Sequence, residues 1–134
     1  MSVPVITFGD YVFCFDAEPE DESSEHHFIE FCGWTRQQFA RIRKYPFFCA
    51  KVSCWKDGEE LSTDYLGACC YKTESAFYKT YKGDYFADMV RTCADETGDT
   101  ELIAQVDAWC AKLRAQTEKR IAAKQAKRAA KQGA

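Results

Sequence analysis

No run of this sequence stays apolar for the roughly 20 residues that a helix needs to cross a bilayer, so no membrane span is expected. Residues 1–6 carry no basic stretch leading into a long apolar segment. A secretory leader is therefore not expected, and the cytoplasm is the expected location. No glycine-rich phosphate loop is present and no nucleophile motif stands out. Histidine is limited to His26 and His27. Their one metal reading sets His26 beside Glu30 on a shared helix face, and two ligands do not make a site. None of the eight cysteines, at positions 14, 32, 49, 54, 69, 70, 93 and 110, forms a C-x-x-C pair. Cys49 and Cys54 are five apart and Cys69 and Cys70 are adjacent, spacings that zinc knuckles do not use. In a reducing compartment they are expected to be free thiols acting as small buried hydrophobes. A four-cysteine metal site assembled in space is the sharper alternative, and no cofactor or metal is expected.

Two absences are local. Residues 16–25 hold six acids and no base, and the chain from Lys112 onward holds eight bases and one acid, Glu118. The net charge of −3 therefore divides into +7 on the last segment and −10 on residues 1–111, which hold ten bases and twenty acids. Such asymmetry speaks of partners rather than fold. The apolar fraction, 46% with 15% aromatic, suffices for one core.

Residues 3–15 read as β structure, either one edge strand or a hairpin turning at Gly9-Asp10. Residues 16–25 read as a loop. Ser23 or Ser24 is placed to cap a short helix over 26–32 that Gly33 ends, and Thr35 with Gln38 forms a capping box for a helix to about Lys44. Residues 47–71 read as a hairpin around Asp57-Gly58. A two-residue turn there pairs Val52 with Thr63, Cys54 with Leu61 and Lys51 with Asp64. It gathers Phe48, Ala50, Val52, Cys54, Leu61 and Tyr65 on an apolar face. Lys51, Ser53, Glu60, Ser62 and Asp64 make the polar face, where Trp55 is an aromatic exception. Thr73 caps a short helix stopped by Gly83. Asp84 caps the next, whose buried stripe is Phe86, Met89, Val90 and Cys93, closed by Gly98. Asp99 or Thr100 opens the last helix, with Leu102, Val106, Trp109, Cys110 and Leu113 facing the core.

Beyond Leu113 that stripe stops while helix-forming composition continues. Arg120, Lys124, Lys127, Arg128 and Lys131 carry on the face that was apolar below, so the helix is expected to leave its own core. The order β-β-α-α-β-β-α-α-α predicts an α+β fold: a small antiparallel sheet covered on one face by helices, residues 1–113 as the compact domain and 114–134 as a basic helical extension.

Three kinds of site follow. The acids Glu18, Glu20, Asp21, Glu22 and Glu25, with Trp34 and Trp55 as apolar anchors, suit docking to a basic protein surface. The tail cations suit nucleic acid. So does a faint helix-turn-helix pattern over 28–42 (Ile29, Gly33, Phe39, Ile42), which would offer Arg36, Gln37, Arg41 and Arg43. A small enzyme using Cys69 or Cys70 with a histidine is the third.

DYLGACCYKT at 64–73, followed by GDYFADMV at 83–90, resembles a pattern of small phage and prophage proteins, over roughly residues 45–95. The resemblance implies a phage accessory product, and proteins of this size and charge include anti-CRISPR and other anti-defence inhibitors. The expected function is accordingly non-enzymatic binding to a host protein or ribonucleoprotein complex in the host cytoplasm, with nucleic-acid binding through the tail as the alternative.

Overall fold

The computed structural model describes residues 2–79 and 85–133. The chain opens with strands β1 (Val3–Phe8) and β2 (Tyr11–Pro19), joined at Gly9-Asp10 as a hairpin. A single π-helical turn (His26–Phe31) and the short helix α1 (Arg36–Ala40) follow. Then come β3 (Phe47–Lys56) and β4 (Glu59–Cys70), and helices α2 (Ala76–Lys79), α3 (Tyr85–Thr97) and α4 (Thr100–Gln132). The four strands form an antiparallel meander in the order β1-β2-β3-β4. The fold is α+β as expected, and the order of elements matches. Gly83 and Asp84, read as helix punctuation, lie outside the described residues.

The core lies between one sheet face and the helices. Phe13, Phe15, Phe48, Ala50, Val52 and Cys54 from the sheet meet Phe77 of α2, Phe86, Met89, Val90 and Cys93 of α3, and Leu102, Val106 and Cys110 of α4. Trp109 sits edge-on to Phe8 at 5.8 Å and to Phe86 at 6.4 Å, which seats α4 over the first hairpin. Asp99 caps α4, its carboxylate accepting from the N–H groups of Glu101 and Leu102. The same carboxylate accepts from the Tyr11 hydroxyl at 2.6 Å, tying the helix start to the hairpin tip.

The Asp57-Gly58 turn is present, with φ of +53° and +76° at its two residues, the pair of left-handed conformations that a type I′ hairpin turn uses. The register beyond it differs from the expectation. Lys56 pairs with Glu59 and Trp55 with Glu60, but a bulge at Leu61 then shifts the pairing by one, so that Cys54 meets Ser62, Val52 meets Asp64 and Lys51 meets Tyr65. A one-residue shift turns every following side chain to the other face. Leu61 and Tyr65, expected in the core, are exposed, and Ser62, expected in water, is buried and donates to the Cys93 carbonyl at 2.7 Å. That bond satisfies both groups inside the core and rewards the shifted register.

Residues 16–19, expected in a loop, continue β2: Asp16 pairs with Lys51 and Glu18 with Cys49. Ladder bonding to β3 outweighs the poor strand propensity of the acids. Thr35 and Gln38 make both bonds of the capping box, yet α1 ends at Ala40 rather than Lys44, with turns carrying the chain to Pro46. The helix-turn-helix reading fails here, because a π turn and a five-residue helix cannot supply the helix pair that docks a major groove.

Candidate functional site

The acidic segment is partly consumed by the fold. Glu20 accepts the N–H of Ala68 at 2.7 Å. Ala68 has φ of +56° and lies in a second bulge of β4, between the pairs Ala50–Leu66 and Phe48–Cys69. The neighbouring Gly67 leaves room for this carboxylate: a Cβ there would stand 3.2 Å from Glu20 Oε1. Glu22 accepts from the His27 ring at 2.8 Å and stands 3.8 Å from that of His26. Glu25 is 3.6 Å from Arg36 on the exposed surface. Glu18 is half-buried on β2, and Asp21 is exposed. Glu18 shares the sheet face away from the helices with Asp16, Lys51 and Glu60, and Lys51 stands 3.7 Å from Glu60.

Neither tryptophan stands free. Trp55 is half-buried, and its indole N–H donates to Ser53 Oγ at 2.8 Å, which lays the ring along the outer sheet face and leaves Ser53 almost without solvent contact. Trp34 lies against Phe28 at 4.6 Å. It helps to line a pocket of about 350 Å³ with Ile42, Leu66, Cys70 and Tyr71.

The cationic helix does leave the body. Burial along α4 ends with Cys110, Leu113 and Thr117 are half-buried, and every described residue from Glu118 to Gly133 is exposed, including Arg120, Lys124, Lys127, Arg128 and Lys131. Residues 114–132 carry this arm about 28 Å along its axis at 1.5 Å per residue.

All eight cysteines are free. Burial pushes Cys54 and Cys69 up to about 11 and Cys93 up to about 12. It raises Cys14, Cys49, Cys70 and Cys110 as well. These seven are therefore protonated at neutral pH and poor nucleophiles. Cys32 is the exposed one. The histidine meets Cys32 rather than Cys69 or Cys70: Cys32 Sγ lies 3.6 Å from His27 Nε2, and His27 Nδ1 lies 2.8 Å from Glu22 Oε1. α-Helical spacing, in which residues five apart diverge by about 140°, would keep these side chains apart. The π turn closes with the Cys32 N–H donating to the His27 carbonyl at 2.9 Å, so the two side chains share a face. Among the described residues, no group of three or more metal-ligating side chains is placed to hold an ion, and no helix is long and apolar enough to cross a membrane.

Comparison of the chain with protein-family models, curated proteins and solved structures finds no match in any of the three.

Proposed function

We propose that this chain is a non-enzymatic binding factor of phage type, which inhibits a host nucleic-acid-processing or defence complex of CRISPR kind by meeting a basic groove with its acidic body. The observation that carries this reading is charge segregation. The chain's +7 lies on the end of α4, whose residues from Glu118 onward are exposed, so it does not neutralise the −10 of residues 1–111. A field of that sign repels nucleic acid and attracts the cationic grooves that hold it. Asp16, Glu18 and Glu60 on the outer sheet face, with exposed Asp21 beyond the strand, are the acids best placed to meet a partner. Trp55, lying along the same face, adds apolar area that charge alone lacks. The phage assignment rests on the resemblance of residues 64–73 and 83–90, and it would place the protein in the host cytoplasm.

The test is capture of a partner from bacterial lysate treated with nuclease, comparing the intact chain with Glu18→Gln/Asp21→Asn. The expected result is a partner retained after nuclease, whose association with the double variant is slower and less dependent on salt. A double variant that binds as wild type at every salt concentration would overturn the acidic-groove reading.

A second reading is favoured by the exposure of the arm: nucleic-acid binding through Arg120, Lys124, Lys127, Arg128 and Lys131. Its affinity would be steep in salt and nearly blind to sequence. Replacing Lys124, Lys127 and Arg128 by glutamine would then lower the log–log salt slope by about 2–3 on duplex DNA.

A further inference from the structure

Three features converge on the π turn. His27 lies between a carboxylate and a thiol, at 2.8 Å from Glu22 and 3.6 Å from Cys32. An ionised carboxylate only accepts, so the imidazole proton sits on Nδ1 and donates to Glu22, leaving the Nε2 lone pair to accept the Cys32 S–H. Beside them Phe31 is 79% exposed, the most exposed large apolar side chain described, and it stacks on the His27 ring at 5.8 Å. The backbone that sets this up is itself uncommon, since π turns occur mostly as single turns and often at functional sites.

We propose that Cys32 is a thiol–disulfide exchange site, with His27 as its base and Glu22 as the residue that positions the ring, and that its substrate class is a disulfide able to reach an open surface. The thiol proton passes to His27 Nε2, and the thiolate attacks one sulfur of the incoming disulfide. The S–S bond breaks as the new bond to Cys32 Sγ forms, and the departing thiolate takes the proton from the imidazolium. Cys32 is oxidised to a mixed disulfide and the other half of the substrate is reduced to a thiol. Glu22 stabilises the imidazolium in between, as the third member of an activated-nucleophile array does. Disulfide exchange suits this surface because attack needs unobstructed access to the sulfur and the leaving charge stays on sulfur, with no oxyanion to be held. Titratable or charged side chains around the array are His26, which stands 3.8 Å from Glu22, then Glu25 with Arg36, and Glu30 on the same turn. From the strand side the Phe47 ring packs 5.6 Å from His27.

The experiment uses the intact folded chain and cystamine, whose two cations suit acidic surroundings. Modification is located by peptide mass mapping, and the Cys32 rate is followed from pH 6 to pH 8 in the wild type, His27→Asn and Glu22→Gln. Cys32 is expected to react first among the eight thiols. Its rate should fall by less than tenfold between pH 8 and pH 6, against about a hundredfold for an unassisted thiol, which loses about tenfold per pH unit. His27→Asn should follow the unassisted profile and Glu22→Gln should fall between. Circular dichroism checks the fold. If His27→Asn unfolds, Glu22→Gln keeps the ring packing and the wild-type profile needs no variant. A wild-type Cys32 rate that falls a hundredfold over this range, or a Glu22→Gln profile that matches wild type, would overturn the assignment.

Discussion

Glu20 offers the sharpest separation between an acid that docks and an acid that folds. Its carboxylate closes the second bulge of β4 through the Ala68 N–H at 2.7 Å, forty-eight residues away. A hydrogen bond to a charged group contributes roughly 1.5–3 kcal/mol, and the partly buried setting reduces that, because water can replace part of the acceptor. Glu20→Ala should therefore destabilise by about 1–2 kcal/mol. Ala68 adds a second contribution: its left-handed backbone costs about 1 kcal/mol without a compensating partner. Ala68→Gly should recover about 0.5–1 kcal/mol in either background. In urea, with a slope of about 2 kcal/mol/M for a chain of this size, Glu20→Ala shifts the midpoint down by about 0.5–1 M. Glu18→Ala, two residues earlier on β2, serves as the control and should move it by about 0.2 M or less. If Glu20→Ala moves the midpoint no further than Glu18→Ala, the carboxylate does not hold the bulge. The consequence for function is direct: neutralising Glu20 disturbs the fold as well as the field, and Glu22 is engaged by the His27 ring, so Glu18 and Asp21 are the cleaner reporters on docking.

Gly58→Val should destabilise by about 1 kcal/mol or more, because its φ of +76° strains a β-branched residue; an unchanged denaturation midpoint would contradict the turn geometry. Among the described residues, truncation after Gln116 removes only exposed or half-buried ones and should leave the melting temperature nearly unchanged, whereas a large drop would mean that the arm packs on the body or on a second copy. The Tyr11–Asp99 bond raises the phenol to about 12. A folded-state value above the unfolded value near 10 gives stability that is complete below pH 10 and lost as pH rises toward 12. Asp99 is shifted the other way, lowered mainly by the Tyr11 hydrogen bond and then by the α4 N–H groups, so its contribution is lost as pH falls through the acid range. Tyr11→Phe should reduce the decline in stability between pH 10 and 12, as read from denaturation midpoints across that range.

Much of the fold was legible because local and long-range preferences agree. The Asp57-Gly58 turn, the Thr35–Gln38 box, the stripe of Phe86, Met89, Val90 and Cys93, and the change from apolar to cationic along α4 each rest on residues close in sequence. What was not legible depends on partners far away. The Leu61 bulge is supported by Ser62 reaching the Cys93 carbonyl, and the strand through Asp16 and Glu18 by pairing with β3. The Glu22–His27–Cys32 array has a local signal, residues five apart, but it becomes visible only when the turn is π rather than α. Alternation puts Trp55 on the outer face, yet its indole bond to Ser53, which flattens it, follows from rotamer and packing rather than pattern.

The proposed binding surface is the acidic body and not the arm, and capture from a nuclease-treated bacterial lysate by the chain truncated after Gln116 separates the two. The truncated body is expected to retain the same partner as the intact chain. Loss of that partner on truncation, with the body still folded, would make the arm the functional element.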